Sequence, residues 1–146
     1  MTAEKFIEFD SLDNEAQELI RESIEAMKMS YSPYSNFKVG AALKCDDGTI
    51  TRGCNIENSS FPASICAERT AISKAISDGR LKFKAIAVAA KMINNLITSP
   101  CGVCRQTLAE FGDMPVYLTD PTMTKVVETS VKDLLPLAFH LNKAGP

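Results

Sequence analysis

The chain has no excess of positive charge, a single histidine and no apolar run of membrane length, and each shortage removes a class of function. Its 16 Lys and Arg stand against 18 Asp and Glu for a formal net charge of −2, and the bases do not cluster, so nothing is present to neutralise a run of phosphates. No nucleic acid polymer is expected as a partner. The longest purely apolar stretch, AIAVAA at 85–90, cannot cross a bilayer. The opening MTAEKFIEFDSLDNEAQELI carries acids where a signal or transit peptide needs bases. No membrane partner is expected either, and a soluble, cytoplasmic protein is the expectation. Internal repeats and low-complexity linkers are also missing. What is present is ordinary globular composition, 45% apolar and 23% charged over 146 residues, which predicts one domain spanning 1–146. Five cysteines are an odd number, and without an export signal they argue against a disulfide framework and toward metal or catalytic use.

Periodicity predicts an α/β domain. Residues 14–29 place Ala16, Leu19, Ile20, Ile24 and Met27 near a 3.6-residue repeat, an amphipathic helix entered from Ser11 or Asp13. FKVGAALKC and TITRGCNI flank Asp46-Asp47-Gly48, a hairpin turn between two strands. CAERTAISKAIS at 66–77 reads as a helix beginning at Cys66 and stopping at Asp78-Gly79. KAIAVAA reads as a buried strand, CGVCRQTLAEFG as a helix stopping at Gly112, and PVYLTD as another strand. VKDLLPLAFHLNKAGP begins as a short helix broken at Pro136 and ends in residues not expected to order by themselves. Strand, helix, strand, helix, strand from 50 to 119 predicts three layers with parallel pairing in the middle.

Cys101-Gly-Val-Cys104 has the spacing that lets two thiolates at a helix start close on one ion, with Zn–S bonds of about 2.3 Å. Alone, such a pair fits metal binding, disulfide exchange or coincidence comparably well. Cys66-Ala67-Glu68, at the other predicted helix start thirty-five positions upstream, supplies a third thiolate. Helix N-termini favour thiolate over thiol, and Arg69 and Arg105, one after each motif, can balance the charge of three sulfurs on a divalent ion. Three protein ligands is the number that leaves a zinc position open for water, as catalytic sites do. His140 lies in the apolar tail and is read as solvated or packed, and Cys45 and Cys54 as small hydrophobes in strands. Glu68, two residues past a ligand, can share the pocket without binding the ion. A carboxylate there can shuttle the proton of a water whose pKa zinc lowers from about 15.7 to about 7. Taken only as a first-turn acid, it would do no more than suit the helix dipole.

Zinc nucleobase deaminases carry H-x-E or C-x-E followed by P-C-x-x-C, with a glutamate that is not a ligand. The chain has Cys66-Ala67-Glu68 and then Pro100-Cys101-Gly102-Val103-Cys104. With SYSPYSNFKVGAAL, NIENSSFP, CAERTAI and SPCGVCRQTLAEFG, it resembles the small homotetrameric zinc-dependent cytidine deaminases over about residues 13–140. The resemblance implies a mixed five-stranded sheet between helices in an α/β/α sandwich, one zinc ion per chain, and a homotetramer with composite sites. It implies hydrolytic deamination of cytidine and 2′-deoxycytidine to the uridines with release of ammonia, as in pyrimidine salvage. By position, it assigns Asn55 and Glu57 to the ribose hydroxyls, Phe37 to an aromatic wall for the base, and the Ala67 N–H and Ser99 carbonyl to the cytosine edge. Phe61 and Phe139 are assigned to the pocket of a neighbouring subunit; Tyr is common in the family at position 61, so a hydroxyl contact there is absent. A cysteine as first ligand matches the small tetrameric branch rather than the larger dimeric enzymes or polynucleotide editors. The rival readings are deamination of another aminopyrimidine, such as a free base or a cytosine-containing antibiotic, a zinc-stabilised nucleic-acid module, and a structural zinc knuckle.

Overall fold

The computed structural model describes residues 5–141, so the final residues of the predicted disordered tail lie outside the described residues. Helix α1 (Asn14–Met27) starts where the Asp13 carboxylate accepts the Ala16 N–H at 2.8 Å. Its buried face, Ala16, Leu19, Ile20, Ser23, Ala26 and Met27, follows the helical repeat expected of it. Strands β1 (Val39–Cys45) and β2 (Ile50–Cys54) form the expected hairpin. Its turn closes through a Cys45 N–H to Thr49 carbonyl bond of 2.8 Å, with Gly48 at φ 91°, a left-handed conformation that suits a residue without a side chain. Helix α2 (Ala67–Ser77) ends at Gly79, also left-handed, where the Arg80 N–H reaches back to the Ala75 carbonyl. Strand β3 (Phe83–Ala90), helix α3 (Gly102–Ala109), strand β4 (Pro115–Thr119), strand β5 (Val126–Ser130) and helix α4 (Val131–Leu134) complete the chain.

The five strands lie in the order β2-β1-β3-β4-β5; β3 and β4 pair parallel and the other neighbours antiparallel. The sheet is thus mixed and five-stranded. The expected parallel pairing is confined to β3 and β4. Strands β2 and β3 also run in the same direction, but β1 lies between them, because the hairpin turn fixes β1 beside β2 and its apolar Ala41, Ala42 and Leu43 need cover on both sides. β5 carries no distinct strand signature in its residues: VVETS is short, half-exposed and at the sheet edge.

Each face of the sheet is buried by helices. Leu19 and Ile20 of α1 pack with Ala42, Ala87, Tyr117 and Val126 on one face. On the other, Ala71, Ile72 and Ala75 of α2 and Leu108 of α3 pack with Leu43, Ile86, Val88, Val116 and Leu118. Two glycines set how closely the helices approach. A Cβ on Gly40 would sit 2.1 Å from the Ser23 carbonyl oxygen of α1, and one on Gly53 would sit 2.4 Å from the Ala67 carbonyl oxygen and the Ala71 nitrogen of α2. Glycine inside a strand marks such close backbone approaches. No helix among the described residues is long and apolar enough to cross a membrane.

Candidate active site and metal centre

Two helix starts converge on one point. Cys66 is the N-cap of α2 and Cys101 the N-cap of α3, both with extended backbone, and Cys104 lies buried in the first turn of α3. The α2 start is seated on the Gly53 backbone, and the α3 start follows the loop from β3 to the parallel β4. Cys66 Sγ and Cys101 Sγ are 3.8 Å apart, and all three sulfurs lie within 4.8 Å of one another. Sulfurs at tetrahedral positions about 2.3 Å from a zinc ion are about 3.8 Å apart, so the cluster has dimensions and donor chemistry that fit zinc. Among the described residues it is the one group of three or more Cys, His, Asp or Glu side chains close enough to hold a metal. Cys45 is buried in the core with Thr51 Oγ1 3.9 Å away, and the Cys54 thiol donates to the Met29 carbonyl at 3.4 Å; neither belongs to the cluster.

The thiols are electrostatically unequal. A hydrogen bond from Cys104 and, against the opposing effect of burial, the Arg69 guanidinium hold the Cys66 thiol down to about 5. Cys104 is raised by its bond to Cys66, by burial and by the nearby Glu68 carboxylate. Arg69 Nη2 donates to Cys66 Sγ at 3.6 Å. Arg105 is placed differently from the charge-balancing position expected of it: its guanidinium donates to the Pro100 carbonyl at 2.7 Å, the Leu134 carbonyl at 2.8 Å and Ser99 Oγ at 3.0 Å. Those three bonds tie the ligand loop to α3 and to the C-terminal segment.

Glu68 is 4% exposed, with Oε2 3.6 Å from the Cys104 thiol. Burial pushes its carboxyl up, aided by negative charge at Cys66. It lies on a cavity of about 320 Å³ lined by Phe37, Asn55, Glu57, Cys66, Ser99 and Cys101 among others. The cavity is within the range that takes small ligands. Five residues named from the resemblance for substrate or catalysis, Phe37, Asn55, Glu57, Glu68 and Ser99, therefore share one wall system with two of the ligands. Ala67 is fully buried in the first turn of α2, the part of a helix whose N–H groups have no intrahelical partner.

Asn55 sits just past the end of β2. Its Nδ2 donates to the Phe37 carbonyl at 2.7 Å, and its Oδ1 accepts the Val39 N–H at 2.9 Å. Glu57 accepts the N–H groups of Tyr34 at 2.9 Å and Ser35 at 3.1 Å. The Ser35 hydroxyl also donates to it and, against a small effect of burial, keeps its carboxyl below the ordinary range. These backbone and serine partners of Glu57, and Gly53 under α2, hold residues of the candidate site and are not singled out by the motifs alone. Only Gly53 has a signal in the sequence, a glycine in the middle of a strand. Phe61 and Phe139 stand 73% and 66% exposed, Phe61 edge-on to Tyr34 with ring centres 6.4 Å apart and the Phe139 carbonyl accepting from Gln106 Nε2 at 2.8 Å. His140 is exposed and lines a separate surface depression with Lys132 and Leu135.

A family model described as the cytidine and deoxycytidylate deaminase zinc-binding region matches residues 13–119. A cytidine deaminase of Sporosarcina psychrophila is 54% identical over 127 residues, covering 86% of this chain and 91% of the relative. A cytidine deaminase of Halalkalibacterium halodurans is 48% identical over 125 residues, covering 84% of this chain and 92% of the relative. The crystal structure of a cytidine deaminase from Burkholderia pseudomallei superposes with a TM-score of 0.79 at 43% identity, over 88% of this chain and 100% of that one.

Proposed function

Because the chain belongs to the cytidine and deoxycytidylate deaminase family, we propose that it hydrolyses the exocyclic amine of cytidine, consuming water and releasing ammonia and uridine. The observation that carries this reading is a three-thiol cluster and a buried carboxyl beside one cavity that Asn55 and Glu57 also line. Cys66, Cys101 and Cys104 would hold a zinc ion, which would supply Lewis-acid activation of water near neutral pH. Glu68 Oε accepts one proton of the water and passes it to ring N3 as the water oxygen bonds to C4, then carries the second proton from that oxygen to the amine, which leaves as ammonia when the C4–N bond breaks. Phe37 covers one side of the base, and the Ala67 N–H and Ser99 carbonyl orient its polar edge. Arg69 offsets the negative charge of the sulfurs, while Arg105 steadies the loop that presents Cys101.

Four further parts of the reading go beyond the family assignment. Activity on 2′-deoxycytidine is supported by a sugar end with one amide and one carboxylate, enough for a single hydroxyl that both sugars share. Assembly as a homotetramer, with Phe61 and Phe139 completing a neighbour's pocket, is supported by the exposure of two large rings. A cytoplasmic location and a role in pyrimidine salvage belong to the same proposal, and what supports the role is that the reaction turns a cytosine nucleoside into a uracil nucleoside. The net charge of −2 disfavours the nucleic-acid module, and a cluster limited to three ligands among the described residues disfavours the structural knuckle.

Measuring zinc per chain together with ammonia release from cytidine tests metal, reaction and substrate at once. One zinc per chain and turnover of cytidine in preference to cytosine are expected. Zinc without ammonia, or faster turnover of the free base, would overturn the assignment. Light scattering on the same sample reads the assembly, and a monomer would remove the composite pocket.

A further inference from the structure

Asn55 makes most of its hydrogen bonds within the protein. An amide oxygen has two lone pairs and an amide nitrogen two hydrogens, so the bonds to the Val39 N–H and the Phe37 carbonyl leave one position of each kind. Those two bonds also determine which side-chain atom is oxygen and which nitrogen. Ser30 Oγ lies against Asn55 Oδ1, nearer than its two other acceptors, Ser32 Oγ at 3.1 Å and the Asn55 carbonyl at 3.5 Å, so its one hydrogen goes to Oδ1 and takes the remaining lone pair. Ser30 stands just past α1, half-buried, and is not among the residues lining the cavity. Backbone bonds hold it in register: Ser30 N–H to the Met27 carbonyl, Tyr31 N–H to the Asn55 carbonyl at 3.1 Å, and Glu57 N–H to the Tyr31 carbonyl at 2.8 Å.

We propose that Ser30 is a positioning residue that makes Asn55 a pure hydrogen-bond donor to substrate, so that Asn55 and Glu57 together select a sugar hydroxyl. The proposal rests on the reading that these two side chains meet the sugar. With both Oδ1 lone pairs occupied, the free capacity of Asn55 is one Nδ2 hydrogen. Glu57, its Oε1 bonded to two N–H groups and its Oε2 to Ser35, can only accept. A hydroxyl is the group that accepts from the first and donates to the second at the same time; an ether or a phosphate oxygen lacks the hydrogen for Glu57. Donation from Ser30 into the amide oxygen also polarises the amide and strengthens its N–H as a donor. Without Ser30, one Oδ1 lone pair is left unpaired and the amide loses a bond that holds its plane, so the hydroxyl loses its single orientation.

The test compares cytidine with 2′,3′-dideoxycytidine, which lacks the 2′ and 3′ hydroxyls but keeps the 5′ hydroxyl, and so reports on the rest of the site and on folding. Ser30→Ala should raise KM for cytidine about three- to tenfold, the range of one ordinary hydrogen bond, with kcat within about twofold. It should leave kcat/KM for dideoxycytidine unchanged, and Ser30→Thr, which keeps the hydroxyl, should behave as the parent. Calorimetry should show the same weakening for uridine and none for 2′,3′-dideoxyuridine. Equal losses on both substrates, or no loss on either while Asn55→Ala raises the cytidine KM, would overturn the role of Ser30 and leave the sugar contact standing. If Asn55→Ala leaves the cytidine KM where it was, the sugar contact fails and the Ser30 proposal with it.

Discussion

The thiol end of the cavity and the Asn55–Glu57 end are built in opposite ways. At the thiol end the functional groups belong to helix starts: Cys66, Cys101, Cys104 and Glu68 are placed by backbone, and the two helices are seated on the sheet through buried alanines and the bare surface of Gly53. At the other end the groups sit on loops and are placed by side-chain bonds to Phe37, Val39, Tyr34 and Ser35, with Tyr34 and Ser35 exposed. A close-packed helix start has few alternative positions, whereas a loop held by individual hydrogen bonds can lose one and adjust. The response to substitution should therefore be brittle at the thiols and graded at Asn55 and Glu57.

The largest expected effect is at a ligand. Cys101→Ala should abolish stoichiometric zinc and turnover and lower the thermal midpoint, because the cluster joins α2 to α3. Metal analysis and calorimetry read this, and a variant with full zinc would contradict the three-thiolate site. Next, Glu68→Gln should retain zinc while kcat falls by about 10²- to 10⁴-fold, the usual worth of a positioned proton carrier. Near-parent activity at full zinc content would remove Glu68 from the reaction.

Gly53→Ala tests whether backbone contact alone sets the thiol end. A Cβ there meets the backbone of Ala67 and Ala71 at 2.4 Å, so α2 must shift. Overpacking of this kind costs about 1–3 kcal/mol, and zinc should be lost sooner to a chelator while the KM of remaining active enzyme changes little. Stability and zinc retention equal to the parent would show that the contact relaxes without moving Cys66.

The smallest effect should be at the sugar end and visible only in acid. Ser35 holds the Glu57 carboxyl below its ordinary range, so the anion persists to lower pH than a free glutamate would allow. Ser35→Ala removes that stabilisation and raises the Glu57 pKa. The cytidine KM should then begin to climb at a higher pH than in the parent, with little difference near pH 7. Coincident KM profiles at acid pH would show that Glu57 ionisation does not govern sugar binding.

Much of the thiol end was legible because its determinants are local. The three-residue spacing of Cys101 and Cys104, the helix formers after each cysteine and the glycine stops at Gly79 and Gly112 act within one or two turns of chain. A sugar-binding role for Asn55 and Glu57 rests on family resemblance alone, since an asparagine and a glutamate after a strand are also ordinary turn residues. Arg105 illustrates the limit: its position after a ligand suggested a partner for sulfur, but its donors meet carbonyls and a hydroxyl contributed by Ser99, Pro100 and Leu134. Sequence adjacency does not say where a long side chain finds its acceptors. Strand β5 went unmarked for a related reason, because its pairing with β4, rather than its own short pattern, makes it a strand.

The α/β alternation, the three thiolates with a carboxylate beside them that is not a ligand, and the absence of the charge a polynucleotide partner needs are all readable in the sequence by itself, from residue type and short spacing. Only the tertiary structure decided that Cys66 comes within 3.8 Å of a cysteine thirty-five residues away, that β1 lies between β2 and β3, and that Ser30 closes the last acceptor position of Asn55. Those facts depend on which surfaces pack, and packing is a property of the whole sheet and its helices rather than of any one segment.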